Sequence, residues 1–128
     1  MNLSQVFVVT KHYQEAYDLD SRALAILERM DPTAGSFVVR ALSQAAYCTM
    51  KLRRPVDAER YYEHALAMAR QVFGAQHPTS GQIMLSYSSV LRALERKAEA
   101  KSMAREARVI LDAGGQGTVD ILELKQTR

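Results

Sequence analysis

Matching residues return along this chain at a fixed interval of 42 positions. Glu15-Ala16, Asp57-Ala58 and Glu99-Ala100 share this spacing, because position 57 lies 42 residues after position 15 and position 99 lies 42 residues after position 57. Three further sets keep the interval: Ala23, Ala65 and Ala107; Leu19, Tyr61 and Met103; Ile26, Met68 and Ile110. Such a period is typical of stacked supersecondary units, each of which buries its apolar face against its neighbours. The repeat predicts a protein that binds another polypeptide rather than an enzyme.

The composition favours a single helical domain. Of the 128 residues, 48% are hydrophobic and 24% are charged, which fits one globular unit and excludes a disordered polymer. Three prolines, six glycines and the lack of a hairpin signal between alternating apolar runs argue against an all-β fold. Helix-forming residues dominate instead.

The net charge of +3 is basic without being extreme. Lys51, Arg53 and Arg54 form the one tight basic cluster, and Leu52 interrupts it at a predicted turn. Nucleic-acid binders usually concentrate such charge in a stripe with motif support. We therefore predict a solvated loop at this position and no nucleic-acid partner.

The sequence carries no signal for a membrane or an oxidising compartment. Residues 6–9 are apolar, but no basic start or small-residue cleavage pattern surrounds them. No run approaches the roughly 20 apolar residues that a membrane span needs, and Cys48 is a single cysteine without an internal partner. We expect no membrane association and a cytoplasmic location.

Five helices follow from apolar residues at helical spacing. They are predicted at residues 13–30, 33–52, 56–72, 79–94 and 98–113. The apolar stripe of the first helix contains Ala16, Leu19, Ala23, Ile26 and Leu27. In three of the helices, two alanines lie seven residues apart and share a face, so small side chains let neighbouring helices approach to about 8–10 Å.

A glycine-rich segment follows the fifth predicted helix. Gly114-Gly115-Gln116-Gly117 breaks the helical pattern. Residues 1–112 therefore form the predicted repeat domain, and residues 113–128 form a C-terminal tail. Within this tail, residues 118–124 are apolar enough to dock, either as a helical turn or as an extended strip.

Three short segments and one linker carry a family resemblance. Lys11-His12-Tyr13-Gln14-Glu15-Ala16 is similar to the glycine-basic-Tyr-acidic-acidic-Ala turn of the tetratricopeptide repeat, in the 42-residue form of kinesin light chains and many bacterial proteins. Residues 54–59 and 96–101 are looser copies, and Phe73-Gly74-Ala75-Gln76-His77-Pro78 resembles the Leu-Gly-x-x-His-Pro linker. The resemblance covers residues 9–111, although the turn glycine is absent from all three copies.

The resemblance implies a right-handed α-solenoid of antiparallel helical hairpins. About two and a half repeat units fit into the chain, because only residues 1–9 precede the first turn. About three repeats are usually needed for stability, so apolar surface stays uncovered at the ends. Either the chain is a piece of a longer solenoid, or two copies form a homodimer by covering each other's ends.

The resemblance also implies peptide binding along a concave groove, which the first helix of each hairpin lines. Carried over by register from Ala46 and Ser88, the candidate peptide-binding residues are Arg40, Ser43, Tyr47, Lys51, Gln82, Leu85, Ser89 and Arg92. Seven of the eight lie on the stripe that remains once the apolar positions are assigned to the core, and Leu85 is the exception.

The predicted groove is positively charged. Arg40, Lys51 and Arg92 bring three cations, and none of the eight candidates is acidic. Charge complementarity therefore favours an acidic peptide, with Tyr47 as its aromatic anchor. The alternative is a solvated helix face without a ligand, because polar surface residues need no partner.

Catalytic, metal and cofactor sites are not predicted. His12, His64 and His77 lie in different repeat contexts without the clustered spacing of metal ligands. Neither Cys48 nor a serine has the surroundings of a nucleophile. The alternative functions are the sensor or dimerisation part of a larger signalling or transcriptional regulator and, less favoured, a nucleic-acid binder.

Overall fold

The computed structural model describes residues 2–19, 21–31 and 33–127. Over these ranges the backbone forms helices and no strand, which confirms the all-α prediction. The helices are α1 (Leu3–Leu19), α2 (Ser21–Met30), α3 (Ala34–Lys51), α4 (Pro55–Val72), α5 (Pro78–Ala93) and α6 (Lys97–Thr127).

Helices α3 to α6 form two consecutive antiparallel hairpins. Helix α3 packs against α4, α4 against α5, and α5 against α6. Helices α4 and α5 each begin with a proline, whose fixed φ suits the first turn and whose missing N–H costs nothing there. At the start of α5, the Nδ1 atom of His77 accepts a hydrogen bond from the Thr79 backbone N–H at 3.1 Å. Local sequence signals thus set where these helices begin.

The alanines of the 42-residue register lie at the contacts between helices. Ala58 and Ala65 of α4 and Ala100 and Ala107 of α6 are each at most 1% exposed. Larger core side chains pack around them, among them Val38, Leu42, Met84, Leu91 and Ile110. Close packing at these four positions confirms the role predicted for the small residues in the second and third repeats.

The α3–α4 and α5–α6 turns share one backbone geometry, although neither contains glycine at its left-handed position. Arg53 has a φ of 60° and Glu95, 42 positions later, a φ of 63°. In both turns the next residue donates its N–H to the carbonyl oxygen five residues earlier, at 2.9 Å. A non-glycine residue in this region costs roughly 1–2 kcal/mol. Packing of the joined helices must therefore hold both turns.

The first repeat differs from the prediction. Lys11, which lies 42 positions before Arg53, sits inside α1, so the turn predicted at residues 11–16 is wrong. The helix predicted at residues 13–30 begins earlier, at Leu3, and is divided into α1 and α2. Instead α1 packs along α3 as one continuous helix, with Val6 and Thr10 fully buried. A continuous helix buries these two residues and avoids the cost of a left-handed turn at Lys11.

Two residues of the apolar stripe predicted for this repeat are exposed. Leu19 is 85% exposed and Ile26 is 55% exposed, so their assignment to the core is wrong. Ala16 is half-buried, and the side chains of Ala23 and Leu27 lie outside the described residues. Because α2 lies at the end of the stack and packs mainly on α1 and α3, no described helix covers its outer side.

Helix α6 is longer than predicted. It continues beyond residue 113 to Thr127, so the break predicted at Gly114 to Gly117 is wrong, and residues 118–124 are helical rather than extended. Glycine lowers helix propensity by about 1 kcal/mol but, unlike proline, keeps its N–H. Gly114 also allows a close approach to α5, since a Cβ atom there would lie 2.6 Å from the Cγ atom of Pro78. The division into a repeat domain and a tail stays a prediction.

A single carboxylate links α4 to the α5–α6 turn. Glu59 accepts a hydrogen bond from the Tyr87 hydroxyl at 3.1 Å and forms an ion pair with Arg96. Arg96 also pairs with Glu99 in the first turn of α6, at 2.6 Å. Burial, together with the nearby Glu59 carboxylate, raises the pKa of Tyr87 to about 12. The hydrogen bond from Arg96 lowers the pKa of Glu99.

Glycine at the two left-handed positions should stabilise the fold. Arg53→Gly and Glu95→Gly remove the strain but add backbone freedom to the unfolded chain, so we expect a gain of about 0.5–1 kcal/mol for each. As the matched control, Lys11→Gly places glycine at the same register inside a helix and should cost about 1 kcal/mol. Urea unfolding followed by circular dichroism measures all three. Equal effects at residues 11 and 53 would contradict the different backbone geometry of the repeats.

The Tyr87 hydroxyl should make folding stability sensitive to alkaline pH. Its folded pKa of about 12 lies above the ordinary value of 10.0, so the folded state holds this proton more tightly than the unfolded state. The stability gained is complete below about pH 10 and is lost as the pH rises through about 12. Calorimetry should show a smaller decrease in Tm over this range for Tyr87→Phe than for the wild type. Tyr47→Phe, which removes an exposed hydroxyl, should keep the wild-type slope, and identical slopes in all three proteins would exclude this role of Tyr87.

Candidate functional site

An open cavity of about 640 Å³ lies between α3 and α5, with α4 behind it. We call this cavity the groove. Side chains of α3 and α5 form its two walls, and Val39 and Ile83 contribute apolar surface. Tyr62 of α4 and Phe73 of the α4–α5 connection complete the lining. The groove therefore depends on the packing of three consecutive helices.

Four of the predicted binding residues line the groove. Arg40, Ser43 and Tyr47 come from successive turns of α3, and Gln82 comes from α5. Tyr47 is 56% exposed, so most of its ring is open to a ligand. The Nζ atom of Lys51 lies 5.3 Å from the centroid of this ring. Such an exposed cation–π contact contributes about 0.5–1 kcal/mol, which holds the ammonium group beside the tyrosine.

The other three candidates on α5 do not line the groove. Leu85 and Ser89 are exposed on the same helix but do not line the cavity. Arg92, in the last turn of α5, lines a separate hollow together with residues of α6. The predicted stripe on α5 thus runs past the groove and ends at a different surface.

Several groove residues were not predicted from the sequence. Gln44 and Ser86 add polar groups to the two walls, and both lie four residues from another predicted or lining position. Helical periodicity could have identified them. Tyr62 and Phe73 give no such signal, because their apolar pattern is the same as that of an ordinary core residue.

The back of the groove is aromatic and neutral. Tyr62 is 6% exposed, and its ring stacks on that of Tyr87 with 6.4 Å between the centroids. Burial raises the pKa of the Tyr62 hydroxyl, against the effect of its hydrogen bond with Ser86. Phe73 stacks on the imidazole of His77 at 4.9 Å. These contacts fix the rings that face the cavity.

The polar edge of the groove is cationic. Arg40 lines the cavity, Lys51 lies one turn beyond Tyr47, and both side chains are exposed. None of the described residues that line the groove is acidic. Ser43, Gln44 and Gln82 supply neutral hydrogen-bonding groups along the same walls. The groove can therefore accept carboxylate and backbone groups without a repulsive charge of its own.

The described residues include no group of three or more His, Cys, Asp or Glu side chains that could hold a metal ion. Within the same ranges, no helix combines the length and the apolar character that crossing a bilayer requires. His64 has a buried Nδ1 atom without a hydrogen-bond partner. Its ring lies 5.2 Å from that of Tyr17, so this histidine packs at the contact of α4 with α1.

The comparison with family models gives one match. The model of the tetratricopeptide repeat matches residues 37–112, which is more than half of the chain. This stretch runs from α3 to the middle of α6 and covers most of both hairpins, of which α3, α4 and α5 contribute to the groove. Searches of curated proteins and of solved structures give no significant match.

Proposed function

The chain belongs to the tetratricopeptide repeat family, and from this premise we propose that its groove binds an acidic peptide segment. Tetratricopeptide repeats are protein-protein interaction modules, and the two matched hairpins place this chain among them. The open cavity between α3 and α5, with its cationic edge and aromatic back, is the observation that carries the proposal. A protein acting as a scaffold would present this groove to its partner.

The dimensions of the groove fit a short extended peptide. Arg40 and Tyr47 are seven residues apart on α3, which corresponds to about 10 Å along the helix axis. An extended chain covers that distance in roughly three residues. One carboxylate can thus reach Arg40 while a neighbouring side chain contacts Tyr47, and a second carboxylate can approach Lys51.

The chemistry of the walls supports an acidic ligand rather than a basic one. The guanidinium group of Arg40 can bind a carboxylate through two parallel hydrogen bonds. The described lining offers no carboxylate that would compete for this guanidinium or attract a basic peptide. Tyrosine and arginine are also the residue types that dominate binding energy at protein interfaces.

Peptide titration with charge-reversed variants tests the groove. We expect a fluorescently labelled peptide with two glutamates beside a leucine to bind the wild type, and Arg40→Glu and Tyr47→Ala to weaken it at least about tenfold, the effect of about 1.4 kcal/mol. Arg70→Glu makes the same charge change on an exposed position of α4 outside the groove and should leave the affinity unchanged. Fluorescence anisotropy gives the dissociation constants.

Two outcomes of this titration would contradict the proposal. Equal losses in Arg40→Glu and Arg70→Glu would assign the effect to net charge alone. Equal or tighter binding of the lysine counterpart of the peptide would reverse the proposed charge preference.

The alternative function, a sensor or dimerisation part of a larger regulator, is favoured by the exposed apolar residues near α2. Leu19, Ile26 and Met30 are 85%, 55% and 78% exposed. Covering these side chains with the same face of a second copy would give a symmetric dimer.

Light scattering tests the dimer. Under this alternative, the wild type has twice the monomer mass and Ile26→Glu/Met30→Glu has the monomer mass. Val56→Glu introduces one negative charge at an apolar residue of α4 that is 62% exposed, and it should leave the dimer intact. A monomeric wild type at high protein concentration would rule the alternative out.

A further inference from the structure

One stripe of α6 lies in register with the stripe that α4 presents to α5. Lys101, Ala104 and Arg108 each follow a residue of α4 by 42 positions, namely Glu59, Tyr62 and Leu66. In α4 these positions form a helix contact, because Glu59 binds the Tyr87 hydroxyl of α5 and Tyr62 stacks on the Tyr87 ring. The equivalent stripe of α6 therefore has the place and shape of a helix-docking surface.

The chemistry of this stripe is different in α6. Arg92, Lys97, Lys101 and Arg108 surround a hollow of about 280 Å³, and Ala104 forms its base. We call this site the cationic hollow. Ala104 stands where α4 has the ring of Tyr62, so the missing ring accounts for the space. None of the described residues that line the hollow is acidic.

The cationic side chains around the hollow form only weak ion pairs with described residues. Lys97 lies 3.9 Å from the Glu95 carboxylate, and both side chains are more than three-quarters exposed. Such a pair contributes little, since exposed ion pairs are typically worth about 0–1 kcal/mol. No ion pair with a described residue involves Arg92, Lys101 or Arg108. Four positive charges thus face the same space with almost no compensation.

No described part of the chain covers the stripe. Helix α5, which covers the equivalent stripe of α4, begins at Pro78. The equivalent start would be residue 120, which lies 42 positions later. Residues 97–127 instead form one uninterrupted helix, so the backbone does not turn back over α6. The hollow is open on the side where the next helix of a stack would lie.

We infer that the cationic hollow binds an amphipathic helix of a partner protein, with acidic side chains on Lys97, Lys101 and Arg108 and one apolar side chain above Ala104. The partner is helical because the stripe matches the surface that α4 presents to α5. The partner is acidic because Lys101 and Arg108 are cationic. They occupy the positions that Glu59 and Leu66 occupy in α4. The Ala104 methyl group, at 3% exposure, offers an apolar base for a side chain such as leucine. This surface lies outside the groove, so the inference stands independently of the proposed function.

A designed helical peptide tests the inference. The probe carries three glutamates and one leucine at the helical spacing of Lys97, Lys101, Arg108 and Ala104, and its control has the same composition in scrambled order. We expect the wild type to bind the probe at least about tenfold more tightly than the scrambled peptide in calorimetric titration. Lys101→Glu/Arg108→Glu should weaken binding of the probe by a similar factor.

Two variants separate helix docking from simple charge attraction. Ala104→Tyr fills the hollow with the residue of α4 and keeps every cation, and it should also weaken binding about tenfold. Arg105→Glu, an exposed charge reversal on α6 outside the lining of the hollow, should have little effect. Circular dichroism melting of each variant shows that a loss of binding does not come from unfolding.

Four results would overturn the inference. Unchanged affinity in Ala104→Tyr, or equal binding of the scrambled peptide, would indicate that the cationic hollow is a solvated surface that does not recognise a helix. Weaker probe binding in Arg40→Glu would place the probe in the groove instead. If only the proposed function of the groove is wrong, the probe should still bind to the cationic hollow. A duplex DNA that binds more tightly than the probe at the same ionic strength would assign the cations to a nucleic acid.

Discussion

The close approach of neighbouring helices at alanine is the constraint on which the rest of this structure depends. Ala58, Ala65, Ala100 and Ala107 are almost completely buried, and all four belong to the core that the packed helices share. A larger side chain at such a contact typically costs about 1–3 kcal/mol, because the packed neighbours cannot move apart without opening the core. Because the alanines share one face of each helix, the buried face of α4 and of α6 is the face that carries them.

The sequence predicts the fold well where the repeats are complete, and poorly where they meet the ends of the stack. The bounds of α3, α4 and α5 follow from caps, prolines and periodicity within one residue. Residues 11, 53 and 95 occupy the same position of the 42-residue repeat, and none of them is glycine. Arg53 and Glu95 nevertheless adopt the left-handed conformation of a turn, whereas Lys11 lies inside a helix. Helix α1 packs along α3 as one continuous helix, and such a tertiary contact is not visible in the local sequence. The length of α6 is not predicted either, for a different reason: glycine weakens a helix without forbidding it.

The sequence predicts only part of the lining of the groove. Of the four positions predicted on α3, Arg40, Ser43 and Tyr47 line the cavity and Lys51 does not. On α5 the same spacing extends past the cavity to Arg92, because periodicity gives the face of a helix but not where along it a neighbour ends. The contributions of Tyr62 and Phe73 depend on how far α4 stands behind the other two helices. A residue whose sequence pattern is that of ordinary core can thus line the cavity.

The two ends of the stack have opposite chemistry, and this difference limits how copies of the chain can associate. One end carries the exposed Leu19, Ile26 and Met30, and the other carries Lys97, Lys101 and Arg108. A head-to-tail contact would bury ammonium and guanidinium groups against hydrocarbon, which is strongly unfavourable without a compensating anion. Open filaments grow by repeating such a contact. The mismatch between these two described faces therefore disfavours a repeating head-to-tail contact.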